Sequence, residues 1–174
     1  MYIGHVGVAL AAKRLRLSVG LLVLLVATYA PDWIDSGLCI VGGYDPRQML
    51  SHSIPAVFIF ALGGFIAYTL STRDRVGGAL IAAVIISHMV LDWITGIKPT
   101  WPGGPTIGLQ LYSHPIADFF AEGIVIAIGA IAYARTLPVR RRPWLDLAIM
   151  LGALLALQLT IDVAHLLFKS LPKC

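Results

Sequence analysis

Six apolar stretches, separated by short polar connections, decide what this 174-residue chain can fold into. They run Tyr2–Ala12, Leu17–Ala30, Ser53–Leu70, Val76–Ile97, Pro115–Ala134 and Trp144–Phe168. A bilayer's hydrocarbon core is about 30 Å thick and takes about 20 helical residues to cross, and the last four stretches are near that length. The first two are shorter: at 1.5 Å per residue, ten to fourteen residues reach only about 15–21 Å. The sequence therefore predicts an all-α fold, a polytopic membrane helix bundle of about five to six helices. Its first helices should be short, tilted or partly re-entrant, with the second stopping at Pro31-Asp32. No composition break or repeat divides the chain, so residues 1–174 read as a single integral membrane domain. Composition agrees, since 58% of residues are hydrophobic and only 13% charged, where a soluble domain needs roughly a quarter.

The formal charge of +4 does not imply nucleic acid, because the basic residues form no face with interleaved aromatics. They gather instead in alternate connections: Lys13, Arg14 and Arg16, then Arg73 and Arg75, then Arg135 and Arg140 to Arg142. The intervening connections hold only Arg47 and Lys98. The positive-inside rule assigns the first set to the cytoplasm of an inner-membrane protein and leaves 31–52, 98–114 and both termini outside. No positive n-region or cleavage site marks a signal peptide. Two cysteines, Cys39 and Cys174, lie far apart without C-x-x-C spacing, so neither a disulfide framework nor a thiolate metal site is expected.

Ionisable groups at membrane depth cost several kcal/mol, so each is a functional candidate. Here they segregate. His5, Asp32, Asp35, His52, His88, Asp92, His114, Asp118, Glu122, Asp162 and His165 all fall toward the outer side of the expected topology. Such segregation predicts one shared polar pocket. His88 and Asp92, four residues apart, share a helix face. They can ligate one cation, the carboxylate can orient the histidine, or the two can clamp helices as a buried hydrogen bond. Asp32 and Asp35 follow Pro31, Ser51-His52-Ser53 opens the third helix, and His114 with Asp118 makes a second four-residue pair, with Glu122 one turn on. His5, alone in an apolar run, reads by itself more readily as a satisfied core residue, and Asp162 with His165 as structural support. Imidazole and carboxylate without thiolate suit zinc, with manganese or iron as alternatives.

The order His5, then Pro-Asp-x-x-Asp at Asp32 and Asp35, then His-Ser at His52, then H-x-x-x-D at His88 and Asp92 resembles the YdjM-type membrane-bound metal-dependent hydrolases. Their usual aspartate motif is Pro-Asp-x-Asp, one residue tighter than here, and an arginine commonly precedes His-Ser where this chain has Arg47 further upstream. That family is in turn similar to zinc-dependent phospholipase C. The resemblance implies one to three metal ions on His5, Asp32, His52, His88 and Asp92, with His114 and Asp118 as a second ligand pair. It implies hydrolysis of a phosphoester on a lipid or lipid-linked substrate, with membrane lipids as partners. A non-ligating carboxylate, Asp35 or Glu122, is expected as general base. Arg47 and Lys98 are expected to pair with phosphate, and Trp101 and Tyr112 to receive the headgroup at the interface. The alternatives are a metal-ion or small-solute transporter using the same cluster, or a non-catalytic membrane scaffold. A transporter should carry polar residues through both membrane halves, often in inverted repeats. This sequence has neither.

Overall fold

The structure is a computed structural model. It describes residues 3–41, 50–138 and 143–167, with the side chains of Leu50 and His165 outside the description. Among the described residues six α-helices form: α1 (Gly4–Leu15), α2 (Leu21–Ile40), α3 (Ile54–Thr72), α4 (Arg75–Thr95), α5 (Pro115–Ala134) and α6 (Pro143–Leu167). Helices α2 to α6 are long and apolar enough to cross a membrane. Large side chains such as Phe58, Leu62, Ile124 and Ile128 point outward and exposed, which is stable where lipid is the solvent, because lipid tails are as apolar as the side chains.

Helix α2 corrects one expectation, since it continues through Pro31 to Ile40. Proline removes one backbone bond and kinks rather than ends a helix, and membrane helices tolerate this where neighbours satisfy the freed groups. The consequence is that Asp32 and Asp35 ride on a helix instead of a loop. Helix α1 does stay short. Its 12 residues cover about 18 Å, roughly three-fifths of the about 30 Å that a crossing needs.

An end inside the bundle leaves the first backbone N–H groups of α1 without helical partners. Two buried side chains from distant helices supply them. Glu122 of α5 accepts from Gly4 N–H at 2.9 Å, and Gln158 of α6 accepts from Ile3 N–H at 3.1 Å. Along its length α1 lies almost backbone to backbone on α5. A Cβ at Gly129 would sit 2.0 Å from the Gly7 carbonyl oxygen, and one at Gly7 would sit 2.5 Å from that of Val125. Small residues at such crossings let membrane helices approach.

Helices α3 and α4 form an antiparallel hairpin. Arg73 closes α3 in the left-handed region at φ 58°, and Asp74 caps α4 by accepting from Gly77 N–H at 2.9 Å. Arg16, after α1, donates to both oxygens of Asp74 at 3.1 and 3.2 Å. The two basic connections thus meet at one end of the bundle, as the charge pattern predicts. The Gly/Pro-rich segment after α4 is largely a loop, with a two-residue antiparallel ribbon, β1 (Lys98–Pro99) on β2 (Thr106–Ile107). It is fastened over the opposite end: Thr100 accepts from Ile54 N–H of α3 at 2.9 Å, and Leu109 N–H donates to Trp93 of α4 at 2.7 Å. Cys39, near the end of α2, is disulfide-bonded. Two cysteines distant in sequence carry no spacing signal, so this bond was not expected.

Candidate metal centre

His52 lies on a single 3₁₀ turn, Leu50–His52, that leads into α3. The turn places its ring between α2 and α4, beneath the ribbon. Its Nε2 lies 3.1 Å from Asp32 Oδ1, 3.1 Å from Asp92 Oδ2 and 3.1 Å from His88 Nε2. His88 Nε2 in turn lies 3.6 Å from Asp32 Oδ1 and 3.5 Å from Asp92 Oδ2. One donor atom from each of Asp32, His52, His88 and Asp92 is within 4.8 Å of all the others.

These spacings fit a cation. Four ligands held tetrahedrally at about 2.0–2.1 Å from an ion are about 3.3–3.4 Å from one another, and five of the six separations, at 3.1–3.6 Å, bracket that value. The ring orientations agree. His88 Nδ1 is 2.6 Å from the Thr28 carbonyl, which can only accept, so Nδ1 carries the proton and Nε2 presents a lone pair to the cluster. His52 Nδ1 is 2.7 Å from Asp35 Oδ2, with Ser51 Oγ 3.0 Å away, so Nε2 again faces inward. The carboxylates call for a positive charge at this point, which a proton on His52 supplies and a bound cation would replace. Backing of this kind, a carbonyl behind one histidine and a carboxylate behind the other, fixes tautomers in metal sites.

His5 lies beside this group, outside the four-residue set. It is fully buried, stacks on His88 with ring centroids 4.0 Å apart, and brings Nε2 to 3.3 Å from Asp92 Oδ1. That contact lacks hydrogen-bond geometry, so both ring nitrogens are buried without a hydrogen-bond partner. Such an orphan is costly unless an ion engages it. Lys98 Nζ, on β1, contacts Asp92 Oδ2 at 2.9 Å and brings positive charge to the same oxygen. His52 is where charges compete: burial resists protonation, but hydrogen bonds to Asp32, Asp35 and Asp92 outweigh it and push its pKa up to about 10. Asp32 is the open edge of the group, with 36% of its side chain exposed against 2–3% for Asp92 and His52.

The other sequence candidates go elsewhere. Asp35 stands behind His52, on the side away from the cluster. Glu122 holds the α1 terminus. Asp118 is buried on α5 while His114, just before that helix, is exposed, and neither joins the four-residue group. Trp101 is exposed on the ribbon loop, and Tyr112 packs on Gly96 at the end of α4. Asp162 accepts from Gln158 Nε2 at 2.7 Å, a supporting role as expected. Arg47 and the His165 side chain lie outside the described residues. Sequence reasoning missed Thr28 and Gln158. The first acts through a backbone carbonyl, which leaves no residue-type signal. Gln158, a polar side chain amid the sixth apolar stretch, carried one.

Among curated proteins and among solved structures, no match to the chain was found. A family model described as YdjM inner membrane protein matches residues 1–165. The match covers both helices that supply Asp32, His88 and Asp92, the turn that supplies His52, and the α1 segment that brings in His5. The chain belongs to the YdjM inner membrane protein family.

Proposed function

We propose that this protein is a membrane-embedded, metal-dependent hydrolase acting on a phosphoester of a lipid or lipid-linked substrate. The observation that carries the reading is the convergence of two histidine Nε2 atoms and two carboxylate oxygens at ligand spacing, each ring locked from behind. A divalent ion on Asp32, His52, His88 and Asp92, zinc by the donor set, would supply Lewis-acid polarisation of a phosphoryl oxygen and a more acidic water. His5 completes or tightens that ligand set. Asp35 and the Thr28 carbonyl keep the two rings in the required tautomer.

Asp32, the exposed member, is where substrate and water would arrive, and its carboxylate oxygen not engaged by the ion would take the proton of the attacking water. The water oxygen bonds to phosphorus as the bond to the ester oxygen breaks. Lys98, adjacent to Asp92, adds positive charge for the phosphate oxygens. The basic connections lie at the opposite end of the bundle, which supports a site on the extracytoplasmic side. The oxidised Cys39 at the site's end supports the same orientation, since disulfides persist in oxidising compartments.

The test is metal content and phosphate release by the detergent-purified protein. Wild type should retain zinc and release phosphate or a headgroup from defined phospholipid mixtures, and the His88→Ala/Asp92→Ala double variant should do neither. A wild type that stays metal-free in zinc-supplemented buffer would end this reading. Metal uptake into proteoliposomes with no hydrolysis would replace it with a transporter.

A further inference from the structure

Among the described residues, Lys98 is the only lysine or arginine that contacts the four-residue group, with Nζ 2.9 Å from Asp92 Oδ2. The oxygen it touches is the one that faces the group, 3.1 Å from His52 Nε2 and 3.5 Å from His88 Nε2. The other oxygen of Asp92, Oδ1, turns to His5 at 3.3 Å. Only 12% of the Lys98 side chain is exposed. An ammonium held so far out of water is costly unless an anion faces it.

Holding the ribbon does not require this ion pair. Backbone bonds already fasten the segment: Ile54 N–H to the Thr100 carbonyl at 2.9 Å, Leu109 N–H to the Trp93 carbonyl at 2.7 Å, and Gln110 N–H to the Gly96 carbonyl at 3.3 Å. Gly108, at φ 149°, lets the ribbon close on the end of α4, where a Cβ would lie 2.0 Å from the Gly96 carbonyl oxygen. Trp93 directly follows Asp92, and Lys98 is paired with Ile107 in the ribbon. Asp92 and Lys98 therefore keep one fixed relation.

A fixed ammonium on a ligand oxygen repels any further cation that approaches that carboxylate. Sites that use two metal ions hold them about 3.5–4 Å apart, and an ammonium sharing an oxygen with the first ion takes up that place. Donors for a second ion do not gather elsewhere. Among the described residues no other histidine and acid group is as compact, and His114 is exposed apart from the centre.

We infer that the centre holds a single divalent ion and that Lys98 supplies the second positive charge, acting on the ion through Asp92. The inference rests on the metal-centre reading and narrows the phosphoester reading to chemistry with one ion and one ammonium. The same repulsion opposes the ion's binding, so removing the charge of Lys98 tightens the hold on the ion.

The experiment titrates zinc into the metal-depleted full chain in detergent at fixed pH. Affinity is read by competition with a chromophoric chelator and stoichiometry by elemental mass spectrometry. Wild type should saturate at one zinc per chain. Lys98→Met keeps the length of the side chain without its charge and should bind zinc at least about tenfold more tightly, because like charges about 4 Å apart repel strongly at low dielectric. Lys98→Arg should return to wild-type affinity. An ion pair that only braces the ribbon predicts the reverse, weaker zinc and a lower melting temperature in Lys98→Met. Lys98→Gln gives the same comparison if Lys98→Met does not fold. Two or more zinc ions per wild-type chain, or equal or weaker binding in a folded Lys98→Met, overturns the inference. A wild type that binds one zinc but hydrolyses no phosphoester leaves the inference standing and removes the hydrolase reading; one that binds none removes both.

Discussion

Replacing Asp35 with asparagine measures how much of the metal centre depends on a residue placed behind a ligand. Asp35 Oδ2 accepts from His52 Nδ1 at 2.7 Å, and Oδ1 accepts from Ser51 N–H at 3.2 Å. Asparagine keeps the shape and one acceptor oxygen but removes the charge. Loss of such backing from a ligating histidine weakens metal binding by about 10- to 100-fold, or about 1.4–2.7 kcal/mol. Two features place this variant near the lower figure. The retained oxygen still fixes the tautomer, and with one carboxylate fewer the proton competing for His52 binds less tightly. Zinc affinity, measured by competition with a chromophoric chelator in detergent, should therefore fall about tenfold, with turnover at saturating zinc largely kept. Thermal unfolding of the same samples checks the fold. Turnover abolished with affinity intact would mean that Asp35 is the general base, and the positioning role drawn from the geometry would be wrong.

Other variants separate supporting residues from the centre. Glu122→Gln keeps an acceptor for Gly4 N–H and should retain metal and activity. Glu122→Ala leaves that buried N–H unpaired and should cost about 1–3 kcal/mol in thermal stability; loss of turnover in a stable Glu122→Gln protein would restore Glu122 as a catalytic base. Gly129→Ala drives a methyl into the Gly7 carbonyl and should destabilise by about 1–3 kcal/mol or more, so an unchanged melting temperature would contradict the α1–α5 crossing. Because His52 is raised to about 10, a proton occupies it at neutral pH and must leave when a cation binds. Zinc affinity should then rise about tenfold per pH unit between 6 and 8, with proton release visible by calorimetry in buffers of different ionisation enthalpy. Affinity independent of pH would show that His52 is not a ligand.

Much of this was legible in the sequence because membrane residence writes itself into composition. Charge-free stretches of about 20 residues have one economical solution in lipid, a helix that satisfies its own backbone. The basic connections marked which ends share a side, and the Arg16–Asp74 contact bears out that grouping for the first two. Asp32, His52, His88 and Asp92 were readable as ligands because ionisable groups at that depth demand partners, and the four do converge.

Roles were harder to read than locations. Asp35 and Asp32 are both acids on α2, and only the direction from which each meets His52 separates support from ligand. Glu122 looked catalytic because a buried carboxylate needs a reason, and its reason is the open end of α1. The course of α2 past Pro31 depended on neighbours that local propensity does not know. The sequence by itself determined that this chain enters a membrane and carries a metal-capable set toward one side. Tertiary structure decided which oxygen and which nitrogen face the centre, because ligation and hydrogen bonding depend on angles and separations of a few tenths of an ångström that residue type cannot encode.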